Sequence, residues 1–415
     1  MEHERAARRI TRTLFLAQSL GSAGQVAIFP IVAILGAQLS GRASWAGVPA
    51  TVYLLASAFS AFGWGHAMDW IGRRRALVLG LLLGCVAGAL GVTAVLLSSL
   101  GVFLIGAIFT GVAVSCLALS RFVAAEVHPP AERARAISNV VLGGTVGAIA
   151  GPLTAGPVAR LVRGAGYDEL AGPFAVMLVL FALGALVVFI WLRPEPKELS
   201  RAVGDGTVSR DGHGPGRGIG EILRDRAAAV AMAAMVFGQL VMVMLMVITP
   251  LHMRGHDHAL STISFVISGH VVGMYAFSVI SGRLADRWGR APVIISGGAV
   301  LILACLSATL SPEVVPMSAS LFLLGLGWNF CYVAWSSLLS DPLSPAERAR
   351  TQGFNDLLIG LVSAAGGLSS GIVFAAIGYG AMALAGAAAA LIPLTLAAWL
   401  FARSRALPAG VGVAK

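Results

Sequence analysis

Apolar runs of roughly 20 residues recur along the whole chain with short polar or charged segments between them, and each can cross a hydrocarbon layer of about 30 Å as a helix. The pattern predicts twelve such helices, over residues 14–38, 46–67, 76–98, 101–123, 138–160, 172–193, 228–250, 262–281, 292–311, 316–339, 354–376 and 380–402. Between the sixth and seventh, residues 194–227 are rich in proline, glycine and charge and hold too few apolar positions to pack. The expected architecture is therefore an all-α membrane protein: an N-terminal six-helix bundle (1–193), a cytoplasmic linker (194–227) and a C-terminal six-helix bundle (228–415).

Composition agrees. Of 415 residues 57% are hydrophobic and 12% charged, with a mean hydropathy of +0.86, whereas soluble domains carry about twice that share of charge. A net charge of +10 would suit nucleic acid, but its distribution follows a membrane instead. With the N-terminus inside, the outer loops hold Arg42, Arg160, Arg163 and Arg254, and all other basic residues of the 29 lie on or near the cytoplasmic side. That asymmetry orients the chain with both termini in the cytoplasm. The start, M-E-H-E-R-A-A-R-R-I-T-R, is too charged for a cleaved signal peptide and reads as a lead into the first helix. Cys85, Cys116, Cys305 and Cys331 all fall within predicted helices, so no secreted disulfide framework is expected. No nucleotide-binding loop or nucleophile–base pairing stands out, and an enzyme is not expected.

The two halves repeat. G-H-A-M-D-W-I-G-R-R-R (65–75) returns as S-G-R-L-A-D-R-W-G-R (281–290), and P-A-E-R-A-R occurs at 130–135 and again at 345–350, an offset of 215 residues. Cys116 and Cys331 stand at the same offset. Duplicated six-helix halves imply a transporter with a pseudo-two-fold axis along the membrane normal. On these motifs the chain resembles the major facilitator superfamily over its whole length. The resemblance makes Asp69 with Arg73, and Asp286 with Arg290, charge-assisted latches on the cytoplasmic side, with glycines allowing close helix approach. Helix 4 departs from the proton-coupled drug antiporters: Ala107 stands four residues before Gly111 where they carry arginine, while G-A-I-A-G-P-L-T-A-G (147–156) in helix 5 is similar to their glycine–proline motif.

Candidate chemistry concentrates between Met235 and Met274. Met242 and Met246 are separated by about 40° around one helix, and His270 and Met274 by the same angle around the next. Thioether sulfur and neutral imidazole suit Cu(I) and need lose no proton to bind it; the alternative is that methionine fills apolar packing. An ionisable side chain within a span, His270, is a functional candidate by default. The loop between these helices adds His252, Met253, His256 and His258, an expected capture set at the pore mouth, and Cys116 and Cys331 are candidates for an inward relay or for small buried hydrophobes.

M-x-x-x-M followed by H-x-x-x-M resembles the CcoA-like copper importers, which supply copper to cytochrome oxidase assembly. The resemblance implies Met242, Met246, His270 and Met274 as metal ligands, copper as the substrate, copper chaperones as partners, no fixed cofactor, and the cytoplasmic membrane of a bacterium as the location. The competing expectation is a carrier of an organic solute such as riboflavin or a drug, with Trp328, Asn329, Tyr332 and Gln25 as cavity groups. A third is a membrane assembly factor that presents copper without transporting it.

Overall fold

A computed structural model describes residues 2–129, 132–202, 218–340 and 345–406, all helical apart from turns. The first half runs through α1 (Glu2–Ala27), α2 (Phe29–Ser40), a short 3-10 turn, α3 (Val48–Ile71), α4 (Arg73–Leu96), α5 (Leu100–Ala118), α6 (Ser120–Glu126), α7 (Arg133–Gly164) and α8 (Ala171–Trp191). After α9 (Pro196–Ala202) and α10 (Ile219–Ile222) come α11 (Arg226–Arg254), α12 (Leu260–Tyr275), α13 (Ser278–Trp288), α14 (Arg290–Ser307), α15 (Val314–Ser340) and α16 (Pro345–Ala406). The linker expected over 194–227 is thus partly helical, and its residues 203–217 lie outside the described residues. So do Pro130 and Ala131 of the first P-A-E-R-A-R; the second opens α16, where no side chain from 345 to 350 is described.

Ten helical runs are long and apolar enough to cross a membrane, and Ala43–Ala61 with Gly63–Ile71 qualifies as another across a bend of 47°. The last run, Leu357–Ala402, has 46 residues, about 69 Å of helix or twice the hydrocarbon thickness. Gly378, at φ 79° and ψ 173°, interrupts it, so it counts as two spans and the expected twelve are reached. Among the described residues three spans that look continuous in the sequence are broken, one of them at Leu119 between α5 and α6. The first bends at Ile28, where Pro30 enters the first turn of α2 without an N–H to give. The eighth breaks at Ala276–Phe277, where the side chain of Asn329 takes over a helix bond by donating Nδ2 to the Met274 carbonyl at 2.6 Å.

Two compact units emerge: Met1–Gly212 with Val247–Ser268, and His213–Met246 with Gly269–Lys415. In each, helices meet through glycine, because hydrocarbon gives no reward for hiding leucine and association in lipid rests on close packing. In the first unit Gly143, Gly147 and Gly151 of α7 line up against α1, where a Cβ would stand 2.5 Å from the Phe15 carbonyl oxygen, 2.0 Å from that of Ser19 and 2.4 Å from that of Ala23. A four-residue repeat on both partners is the 4–4 ridge pattern. Gly84 and Gly91 of α4 receive the rings of Phe181 and Phe174 from α8.

The internal repeat recurs in this packing. A Cβ at Gly111 of α5 would stand 2.4 Å from the Tyr53 carbonyl oxygen of α3, and one at Gly325 of α15 2.2 Å from the His270 carbonyl oxygen of α12. Cys116 fills a notch at Gly80 and donates to the Ala76 carbonyl at 3.4 Å, and Cys331 fills a notch at Gly297 and donates to the Ile294 carbonyl at 3.8 Å. Between paired helices Gly72 (φ 90°) and Gly289 (φ 88°) each end one helix and start the next, a backbone state that a side chain would strain.

A methyl at Gly297 would meet Cys331 Sγ at 2.6 Å and its backbone nitrogen at 2.9 Å, whereas nothing lies within 4 Å of one at Gly282. Gly297→Ala is expected to cost about 1–3 kcal/mol by overpacking, and Gly282→Ala to be neutral or stabilising by up to ~1 kcal/mol. Melting temperatures of the two variants in one detergent check the difference.

Candidate transport site

In the second unit the middle of α15 gathers aromatic and amide side chains. Trp328 and Tyr332, one turn apart, stack with ring centres 4.6 Å apart and planes at 18°. Tyr275, at the end of α12, meets Trp328 edge-on at 6.4 Å and 71°. Gln239 of α11 fixes the tryptophan: its Oε1 accepts from Trp328 Nε1 at 2.9 Å while its Nε2 donates to Ser363 Oγ of α16 at 2.9 Å. With both ends of the amide engaged, neither it nor the indole can turn freely. Trp328, Tyr332 and Gln239 are half-buried and Tyr275 is exposed, which leaves a rigid π surface of the kind on which planar rings stack.

Asn329, adjacent to that surface, serves the fold. It is buried, donates also to Ser278 Oγ at 2.9 Å and accepts from Ser281 Oγ at 2.8 Å, which fastens the break between α12 and α13 to α15. Gln25, the remaining organic-site candidate, belongs to the first unit and donates to the Tyr53 hydroxyl at 2.7 Å.

The four expected metal ligands all lie in the second unit. Met242 and Met274 are buried, Met246 is half-buried, and His270 is 0% exposed. The close crossing at Gly325 lets His270 Nδ1 donate to the Leu321 carbonyl on α15 at 2.9 Å. A carbonyl can only accept, so the proton sits on Nδ1 and Nε2 carries the lone pair. That Nε2 is buried without a hydrogen-bond partner.

The expected capture residues His252, Met253, His256 and His258 fall in the first unit. His256 Nδ1 donates to the His252 carbonyl at 2.9 Å, their rings stand 4.5 Å apart, and Met253 is fully buried. Among the described residues no three His, Cys, Asp or Glu side chains converge on a position for one metal ion. The thiols of Cys116 and Cys331, 1% and 0% exposed, occupy the glycine notches already described.

The family model of the Major Facilitator Superfamily matches residues 14–260 and 231–414. The chain belongs to that superfamily. An MFS-type transporter of Bacillus subtilis, YdeG, is 34% identical over 394 residues, which are 94% of this chain and 91% of its own. The riboflavin transporter RfnT of Brucella anthropi is 30% identical over 355 residues, 85% of this chain and 86% of its own. Among solved structures, a bacterial homologue of the human lysosomal transporter Spinster superposes with a TM-score of 0.71 at 16% identity, covering 96% of this chain and 97% of that one.

A major facilitator protein is a transporter rather than an enzyme. Among the described residues its two glycine–arginine turns carry the following contacts. Arg73, its side chain 14% exposed, binds Glu126 through Nε at 3.0 Å and Nη2 at 3.1 Å, and Nη1 donates to Asp69 at 2.7 Å and to the Met68 carbonyl at 2.9 Å. Glu195 accepts from the Arg73 backbone N–H at 2.6 Å, and Lys197 of α9 donates to the Asp69 carbonyl at 2.6 Å. The linker therefore docks on this turn. In the second turn Arg290 and Asp286 stand 3.8 Å apart, with 33% and 77% side-chain exposure.

The Asp69–Arg73 and Asp286–Arg290 pairs were readable from the motif. Glu126 and Glu195, which complete the first one, are lone carboxylates with no periodic signal; Tyr275, Tyr53 and Ser363 are ordinary span residues until their neighbours are known. Arg73→Ala is expected to lower stability by about 1–2 kcal/mol, discounted because Glu126 is partly solvated, and Arg290→Ala by under ~1 kcal/mol. Thermal unfolding of both variants measures the contrast.

Proposed function

We propose that this transporter carries a planar aromatic solute of the flavin kind across the cytoplasmic membrane of a bacterium, with both chain ends on the cytoplasmic side. The observation that carries the reading is the stacked Trp328–Tyr332 pair held by Gln239. Such a surface favours a flat, polarisable ring system, and stacking of a base on an aromatic side chain contributes about 1–3 kcal/mol. The similarity to a riboflavin transporter over most of both chains points the same way. The basic residues set the expected orientation, four arginines being outside and the rest inside.

Copper import, with delivery through chaperones to oxidase assembly, is the second reading. What favours it is His270, whose buried Nε2 lone pair shares a unit with the sulfurs of Met242, Met246 and Met274. An Nδ1–H held by a carbonyl is the outer-shell pattern of metal-bound histidines.

Riboflavin fluorescence titrated with purified protein separates the two. Saturable quenching is expected, with affinity falling about tenfold in Trp328→Ala and no stoichiometric Cu(I) bound under reducing conditions. The opposite pattern, one copper per chain lost in His270→Ala and no quenching by flavin, would replace the first reading with the second.

A further inference from the structure

The first unit contains a buried carboxylate that neither reading uses. Glu169 lies in the turn between α7 and α8, beyond the ends of both spans, and is only 6% exposed. Its Oε2 pairs with Arg163 from the last turn of α7, and its Oε1 lies 2.9 Å from Arg254 Nη2, off hydrogen-bond alignment, at the last residue of α11. The two arginines are 60% and 39% exposed. The charges match the helix ends they occupy: both cations stand at helix C-termini, and the carboxylate stands two residues before the N-terminus of α8.

A second contact joins the same elements. A Cβ at Gly156 of α7 would stand 2.8 Å from Cα of Ser261 at the start of α12. The hairpin of α11 and α12, Val247–Ser268, is thereby part of the first unit although the residues on either side of it belong to the second. Two different chemistries, an ion triad and a glycine contact, pin this hairpin to α7 and to the turn leading into α8. The basic-residue asymmetry puts that end of the helices outside.

We propose that Glu169 is the gating residue of the outer mouth: by clasping Arg254 it holds the tip of α11 on the first unit, and release of the clasp admits solute from outside. The physics suits a gate. A pair with one buried and one partly solvated partner is strong enough to bias a conformational equilibrium and weak enough to break in each cycle. Alternating access needs contacts made in one state and lost in the other, since a contact kept in both shifts no population. Arg163 stays paired with the carboxylate when Arg254 departs, so opening leaves no bare buried charge. The gate operates for any cargo, flavin or metal.

The test is labelling of Ser261→Cys by a membrane-impermeant charged maleimide added outside intact cells, with the protein carrying Ser261 as the blank. Labelling should be slow, accelerate about fivefold (~1 kcal/mol at 1.4 kcal/mol per decade) in both Glu169→Gln and Arg254→Ala, and stay within about twofold of the parent in Arg254→Lys, which keeps the charge. Membrane levels and melting temperature are measured alongside, so that a misfolded variant is recognised. Should Glu169→Gln fail to reach the membrane, Arg254→Ala carries the test, since that side chain is at an exposed tip. Unchanged labelling in a well-folded Arg254→Ala protein overturns the proposal, and so does a Ser261→Cys parent whose introduced thiol already reacts as fast as a solvent-exposed one.

Discussion

Helices in hydrocarbon gain nothing by covering leucine, so the contact on which this structure depends is backbone approach at glycine. The ladder of Gly143, Gly147 and Gly151 along α1, and the single crossings at Gly111 and Gly325, place carbonyl oxygens where a side chain would otherwise stand. Everything polar described above between α12 and α15 follows from one such crossing. Because α12 comes that close to α15 at Gly325, His270 reaches the Leu321 carbonyl, Asn329 reaches the carbonyl of Met274, and Tyr275 reaches the edge of Trp328. A bulkier residue at 325 would separate all three contacts together.

Polar groups inside a membrane are expensive unless paired, and their pairing here discriminates between structural and functional side chains. Asn329 makes three bonds and substitutes for a helix bond at the α12–α13 break, so it is part of the framework. Gln239 uses both ends of its amide to hold an indole that is itself half-buried and stacked, which is the arrangement expected of a supporting group behind a contact surface. His270 uses one nitrogen only. The organic-solute reading thus rests on a surface that is complete as it stands, and the copper reading on a nitrogen that is not.

Much of the fold was legible in the sequence, because span length is fixed by bilayer thickness and the repeat is written as shared strings. The twelve spans, the two glycine turns and the paired cysteines were all visible. Side-chain roles were less so. Periodicity states which residues of one helix share a stripe, but not which neighbour that stripe meets, so Met242 and Met246 read as ligands with packing as the alternative. The cysteines show the same limit from the other side: their common offset is real, and the structure ties it to glycine notches at Gly80 and Gly297 that no spacing rule reveals. Broken spans escaped for a different reason, since the group that compensates the α12–α13 break, Asn329, is about fifty residues away along the chain.

The two kinds of contact in this molecule differ in how they can be used. Glycine seams act over many atoms at van der Waals distance, so opening one by an ångström forfeits up to about half of the attraction at once, and they make each unit rigid. Ion pairs with a solvated partner lose far less when broken, because water replaces the partner. In the first unit such pairs sit at the span ends, Arg73 with Glu126 and Asp69 at one end and Glu169 with Arg163 and Arg254 at the other, while the seams occupy the middle. Rigid middles with breakable ends are what a rocking carrier requires. Among the described residues the second unit carries the Asp286–Arg290 pair at the corresponding turn, at 3.8 Å and with more solvent on both partners.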